Sequence, residues 1–206
     1  MLTISMGKTL LAALLLLAIG QHQVARAWWL FSGPQPTSTG AGGPLKASAH
    51  FDMDDVQGSI KFSQTKPGEP TRAEYDLTGL RGNNRLYHVH VRPVPQFDRD
   101  QVRGNSSALA KLCGDPATGG HLNPHHITQK LPPKSAPLDK YETGDLSGKH
   151  GPFTPTQDPK ADRYVGSFTD DKLPMTGANS IVGRSIVIHK NDGARWVCAT
   201  IEPESL

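Results

Sequence analysis

Seven short segments carry strand signals, weakly patterned in the first and alternating with period two from Ser59 onward in the second and again over 71–77, and nothing between them reads as a convincing amphipathic helix. They cover residues 46–51, 56–64, 71–77, 85–91, 164–168, 185–189 and 196–201. Strands this short, each bounded by turn residues, bury their apolar faces best in an antiparallel sandwich or barrel, of Greek-key type. The 21 glycines and 17 prolines fit that reading, because both break helices and serve turns. No internal repeat is visible. The Gly- and Pro-rich stretch from about residue 92 to 163 is too long for a bare loop unless something pins it.

The first 27 residues read as an address rather than as structure. A weakly basic start ending at Lys8 precedes an apolar run from Thr9 to Ile19, and Ala25-Arg26-Ala27 is an A-x-A cleavage pattern. That is the layout of a secretory signal peptide, and the run is short for a bilayer span. An uncleaved anchor helix is the other reading. Residues 28–44 are read as a flexible linker, a small apolar patch at Trp28–Phe31 followed by a Gly/Ser/Pro/Thr stretch over 32–44 with nothing to bury, so the folded domain is expected over 45–206. Two of the 22 basic residues, Lys8 and Arg26, and none of the 19 acidic residues lie in the leader, which leaves the remainder at +1 from a total of +3. That near-neutral balance gives no case for nucleic-acid binding. The expected location is secreted, extracellular or periplasmic, with no membrane association after signal cleavage, in an oxidising setting for Cys113 and Cys198. Asn105-Ser106-Ser107 is a glycosylation sequon, meaningful only in a eukaryotic exterior. The sequence leaves a homo-oligomer open.

In His88-Val89-His90, period two puts both imidazoles on one face of a strand. Such a pair is a natural pair of ligands for copper or zinc. Two solvated strand histidines would read the same way. His121 lies in Gly119-Gly120-His121-Leu122-Asn123-Pro124, eight residues after Cys113. His189 ends a late strand, and Arg195 stands three residues before Cys198.

In this order the residues resemble the copper/zinc superoxide dismutase family. Val56-Gln57-Gly58-Ser59-Ile60-Lys61-Phe62 is similar to its second strand, Tyr87-His88-Val89-His90 to its copper strand, and Gly120-His121-Leu122-Asn123-Pro124 to its histidine loop. Gly144-Asp145-Leu146, Val182-Gly183-Arg184 leading to His189, and Arg195-Trp196-Val197-Cys198 are similar to further family motifs. The resemblance implies an all-β fold, an eight-stranded antiparallel Greek-key barrel or sandwich (Ig-like) with long loops. It implies copper held by His88, His90, His121 and His189, a Cys113–Cys198 disulfide, and Arg195 as the cation that guides superoxide. Arg195 could instead serve a surface salt bridge or a contact to the loop carrying Cys113.

Two departures matter. Gln129 and Glu142 stand where the family has zinc-binding histidines, leaving only His121 and Asp145 of that site. The five residues 190–194 between His189 and Arg195 are far fewer than the family's usual interval. Both departures resemble the copper-only branch, in which a Glu and an Asp near the histidine loop replace zinc. Here they are Glu142 and Asp145, the first expected to hold His121, the second to do the same or to organise the loop. Both could instead be carboxylates capping turns. A rebuilt zinc site from His125, His126 and His150 with Asp145 is the competing arrangement, and exposed loop histidines are the plain one. The implied activity is superoxide dismutation by copper redox cycling, with catalytic roles for Arg195, His121 and Glu142 and with zinc absent. A non-catalytic extracellular copper-binding protein on the same scaffold, and a copper/zinc enzyme with relocated zinc ligands, are the alternatives.

Overall fold

The computed structural model describes residues 45–82, 84–156 and 162–205. The leader and linker expected over residues 1–44 lie outside the described residues. Seven strands form one curled antiparallel sheet: β1 (Leu45–Met53), β2 (Val56–Gln64), β3 (Thr71–Thr78), β4 (Tyr87–His90), β5 (Arg163–Asp170), β6 (Ser185–His189) and β7 (Arg195–Pro203). The order is β4-β6-β7-β1-β2-β3-β5, so β1 to β3 form a meander, β3 skips to β5, and β4 pairs with β6 at the other edge. Every predicted segment becomes a strand, within a few residues at its ends. The eighth strand of the implied barrel is reduced to a short connection between the two sheet edges. Phe153 N–H donates to Arg85 O (3.0 Å) just before β4, and Thr156 N–H donates to Arg163 O (2.9 Å) at the start of β5.

Alternation explains the core. In β1, Ala47, Ala49, Phe51 and Met53 point inward while Lys46, His50 and Asp52 face out or sideways. Ile60 and Phe62 of β2, Leu77 of β3, Ile186 and Ile188 of β6, and Val197 and Ile201 of β7 complete the same apolar interior. Strand β4 is buried on both faces. Tyr87 and Val89 point into the core, where Tyr87 stacks on Phe153 with ring centroids 3.9 Å apart. The opposite face carries His88 and His90.

The long stretch after β4 is pinned rather than bare. It holds α1 (Arg99–Val102), α2 (Ser106–Leu112), α3 (Asp115–Thr118), a 3-10 turn (Leu138–Lys140) and α4 (Leu146–His150). Each helix is at most seven residues long, too short to show an amphipathic repeat. Local capping sets their starts: Asp98 accepts from Asp100 N–H, Asn105 from Ala108 N–H, and Asp145 from Gly148 N–H. The Cys113–Cys198 disulfide ties the end of α2 to β7 across a separation of 85 residues. Val102 and Leu109 are buried beneath this segment. Among the described residues no helix is long and apolar enough to cross a membrane.

Candidate metal centre

Three separate backbone devices bring four imidazoles together. Strand periodicity supplies His88 and His90. Residues 118–122 then run antiparallel alongside the end of β4. Val91 N–H donates to Gly120 O (3.0 Å), Arg92 N–H to Thr118 O (2.9 Å) and Leu122 N–H to Val89 O (2.8 Å). That pairing sets His121 directly across from His90. The third device is an irregularity between β6 and β7. Ile188 pairs with Val197, but His189 pairs with Arg195, so β7 carries one extra residue at this point.

The four rings form a single group whose ligand nitrogens all lie within 4.8 Å of one another. Each ring has one nitrogen held from outside. His90 Nδ1 donates to Gly119 O (2.9 Å), and His189 Nδ1 donates to Gly193 O (2.9 Å). His121 Nδ1 donates to Glu142 Oε2 (2.6 Å), and His88 Nε2 faces Asp145 Oδ1 at 3.4 Å. The opposite nitrogens converge: His88 Nδ1 and His189 Nε2 are 3.0 Å apart, and His90 Nε2 is buried with no partner. Fixing the outer nitrogen sets tautomer and ring orientation, which is how proteins prepare a histidine for a metal.

Whether a copper ion fits is testable on these distances. Two imidazole nitrogens each at about 2.0–2.1 Å from one ion stand roughly 3 Å apart when adjacent and about 4 Å when opposite. The His88–His189 separation matches the first case. No pair is wider than 4.8 Å, so meeting on one ion requires only a small inward adjustment. An all-imidazole donor set suits copper. The orphaned His90 Nε2 points the same way, since a buried polar atom without a partner is costly.

Burial explains why these rings stay neutral and ready to ligate. Desolvation pushes His90 down to about 3 and His189 down to about 4, and it lowers His88 as well. The positive charge of Arg195 adds to the effect at His90 and His189. Burial alone would raise Asp145, but its hydrogen bonds to His88 and Gly148 N–H outweigh that, and its carboxyl lies below the ordinary value. His121 differs from the other three. Its side chain is 32% exposed, while His88, His90 and His189 are buried. The centre therefore opens to solvent on the side of His121 and Glu142.

The segment carrying Glu142 and Asp145 is fastened by a closed ring of backbone hydrogen bonds. Val89 N–H donates to Gly144 O (2.9 Å), Gly144 N–H to Leu122 O (2.8 Å) and Leu122 N–H to Val89 O (2.8 Å). Three chain segments meet there with no room for a side chain: a Cβ on Gly144 would fall 2.4 Å from Val89 O. Asn123 helps from the loop side, donating through Nδ2 to Glu142 Oε1 (3.2 Å) and to Ile127 O (2.8 Å).

The remaining sequence candidates are placed as follows. Arg195 is gripped on three sides. Nη1 donates to Thr118 Oγ1 (3.0 Å) and Cys113 O (3.4 Å), and Nη2 to Asp115 Oδ1 (3.2 Å). The structural contact to the Cys113 loop and a position beside the histidines thus coexist. Asp145 is turned to His88 rather than to His121, and it also caps α4. His150 is engaged with Asp170 and stacks on Phe168 (3.9 Å), while His125 and His126 are exposed. Among the described residues these three join Asp145 in no ligand cluster. His50 is an exposed strand residue bonded to Ser48. Sequence reasoning missed the carbonyls of Gly119 and Gly193, which orient two ligands but carry no side-chain signal. It also missed the Thr118 and Asp115 grip on Arg195. The short 190–194 interval is a tight turn, closed by Lys190 N–H to Ala194 O (2.7 Å), which presents the Gly193 carbonyl to His189.

A family model described as copper/zinc superoxide dismutase matches residues 56–201. The chain belongs to the copper/zinc superoxide dismutase family. Within that family it is 31% identical over 182 residues to the cell surface Cu-only superoxide dismutase 5 of Candida albicans, an alignment covering 85% of this chain and 68% of that protein. It is 34% identical over 179 residues to the cell surface superoxide dismutase (Cu-Zn) 4 of the same organism, covering 82% and 65%. The chain thus spans about two thirds of the length of both relatives. The solved Cu(II) structure of Candida albicans superoxide dismutase 5 superposes with a TM-score of 0.58 at 28% identity, covering 80% of this chain and 94% of that one.

Proposed function

We propose that this protein is a secreted, copper-dependent superoxide dismutase that converts superoxide to dioxygen and hydrogen peroxide without zinc. The observation that carries the reading is the arrangement of the four imidazoles. Each is held at its outer nitrogen and turned inward at the other, and on His121 the outer partner is a carboxylate, Glu142. Family membership and the cell-surface relatives support the activity and an extracellular location. The A-x-A leader reading of residues 1–27 supports export.

His88, His90, His121 and His189 would hold the copper. Bound there, copper supplies the one-electron couple that accepts an electron from one superoxide and passes one to a second. The protein's own groups handle charge and protons. Arg195 presents a permanently charged guanidinium, held in place by Thr118, Cys113 and Asp115, for the incoming anion. The chain beyond the leader is near neutral, at +1, so its attraction is local. His121 is the solvent-reaching imidazole of the four, and its Nε2, when not ligating the metal, would take one proton and give it to the departing peroxide, the second proton coming from water. Glu142 keeps the His121 ring in register throughout, through the 2.6 Å bond at Nδ1. Asp145 does the same for His88 while its other duty, capping α4, keeps it in place.

Metal analysis and superoxide decay on the mature protein, purified with copper and zinc both supplied, test the proposal. One copper per chain, no stoichiometric zinc and copper-dependent decay are expected. Bound copper without activity would make this a copper-binding protein only, and stoichiometric zinc would overturn the copper-only reading.

A further inference from the structure

We propose that Lys149 is a positioning residue for the copper site: its ammonium, anchored on Asp170, holds the Thr143 carbonyl and so fixes the segment that presents Glu142 and Asp145. The inference rests on the copper reading above, but its principal test does not need the metal.

Lys149 lies on the inner side of α4, and its side chain and that of Asp170 are both fully buried. Nζ sits 2.5 Å from Asp170 Oδ2 and donates to Thr143 O at 2.8 Å. Asp170 is itself held on several sides. It ends β5 in register with Thr71, and it accepts from Lys172 N–H (2.8 Å) and from His150 Nε2 (2.8 Å). The tether therefore runs from the sheet through Asp170 and Lys149 to Thr143, which lies between Glu142 and Gly144-Asp145. Ser147, two residues earlier on α4, is sewn to β4 beside His88: Tyr87 N–H donates to its Oγ (2.5 Å), and that hydroxyl donates to Tyr87 O (3.0 Å).

Two observations give this pair a role beyond filling space. Burial works against the charge, lowering the Lys149 pKa even with Asp170 beside it. An apolar pair of similar volume commonly serves stability as well as a buried ion pair does, so the charges make most sense where one of them grips something. What Lys149 grips is the backbone carbonyl of a buried residue, Thr143, in the segment that carries Glu142 and Asp145. Tyr141 and Thr143 border a cavity of about 460 Å³, shared with Gln64, Leu138 and Leu173. The segment is therefore not packed solidly against the end of β5, and the Lys149 ammonium bridges it to Asp170 there.

The test compares the mature protein with Lys149→Met/Asp170→Asn, which removes both charges and leaves an amide to serve His150 and the Lys172 N–H. Lys149→Met alone is the second variant, read below its own melting temperature. Amide hydrogen exchange is followed on the metal-free proteins, and the Cu(II) electron paramagnetic resonance spectrum on the loaded ones. In both variants the Gly144 and Val89 amides are expected to exchange at least about tenfold faster, with β6 and β7 unchanged, and the Cu(II) spectrum to become heterogeneous. Wild-type exchange at Gly144 with a wild-type spectrum in either folded variant overturns the proposal. So does loss of protection spread through β6 and β7, or failure of both variants to fold, because Lys149 would then serve the whole sheet. An inactive copper-loaded wild type would instead count against the dismutase reading, leaving the exchange result to stand separately.

Discussion

His189 and Arg195 are cross-strand partners because β7 carries one extra residue just before its pairing with Ile188 resumes. A ligand of the proposed copper centre and the Arg195 cation are thus set side by side by a single bulge. Replacing Arg195 with Ala is expected to slow superoxide consumption about tenfold or more and to flatten its dependence on ionic strength, with copper content unchanged. Stopped-flow decay at several salt concentrations checks this. A variant as fast and as salt-sensitive as the parent would leave Arg195 with only its contacts to Thr118, Cys113 and Asp115.

Glu142 is bonded to the one imidazole of the four that is substantially exposed to solvent. Glu142→Ala frees that ring, and turnover is expected to fall most at high pH, where protons are scarce and His121 must be well placed to collect them. The measurement is the pH profile of superoxide decay between about pH 6 and 10. Parallel profiles for variant and parent would remove Glu142 from proton handling.

Removing a ligand outright separates the metal site from the fold. His189→Ala is expected to weaken copper binding by more than about 100-fold while the far-ultraviolet spectrum stays β-type, since β6 keeps Ile186 and Ile188 in the core. Competition titration with a copper chelator reads it, and unchanged affinity would exclude His189 as a ligand.

The metal-free protein is expected to lose stability as the medium is acidified. His90 and His189 have folded-state values of about 3 and about 4, below the ordinary 6.5. As pH falls below 6.5 the unfolded chain takes up protons at these rings and the folded chain does not. Their contribution is therefore fully present above the unfolded value and is lost as pH drops toward the folded ones. The slope approaches about 1.4 kcal/mol per pH unit for each ring. Urea midpoints of metal-free protein between about pH 7.5 and 4.5 check the sign; a flat profile would mean the rings are already solvated.

Gly144 closes the hydrogen-bonded ring joining Val89, Leu122 and the Glu142 segment, and a Cβ there meets backbone on two sides. Gly144→Ala is expected to cost about 1–3 kcal/mol and to weaken copper binding with it, because the displaced strand carries His88 and His90. Chemical denaturation of the metal-free form, paired with the chelator titration, reads both effects.

Much of the molecule was legible in the chain. Short strand signals located all seven strands, and His-Val-His announced two ligands on one face, because side-chain direction in a strand follows from local geometry alone. The helices were not visible, since four to seven residues do not complete a repeat. The partner of each carboxylate was not visible either. Glu142 and Asp145 are three residues apart, yet one serves His121 and the other His88, and only the path of the segment past β4 separates them.

The amino-acid sequence alone determined which residues this protein has to work with: the alternating strands, the four histidines in their contexts, the missing zinc histidines and the short interval before Arg195. Each depends on neighbours along the chain. The tertiary structure decided what those residues face. The bulge beside His189, the carbonyls of Gly119 and Gly193, the tight passage at Gly144 and the buried reach of Lys149 to Thr143 all join parts of the chain that are close only after the sheet has curled. Hydrogen bonds and burial act on distance in space, which no linear order encodes.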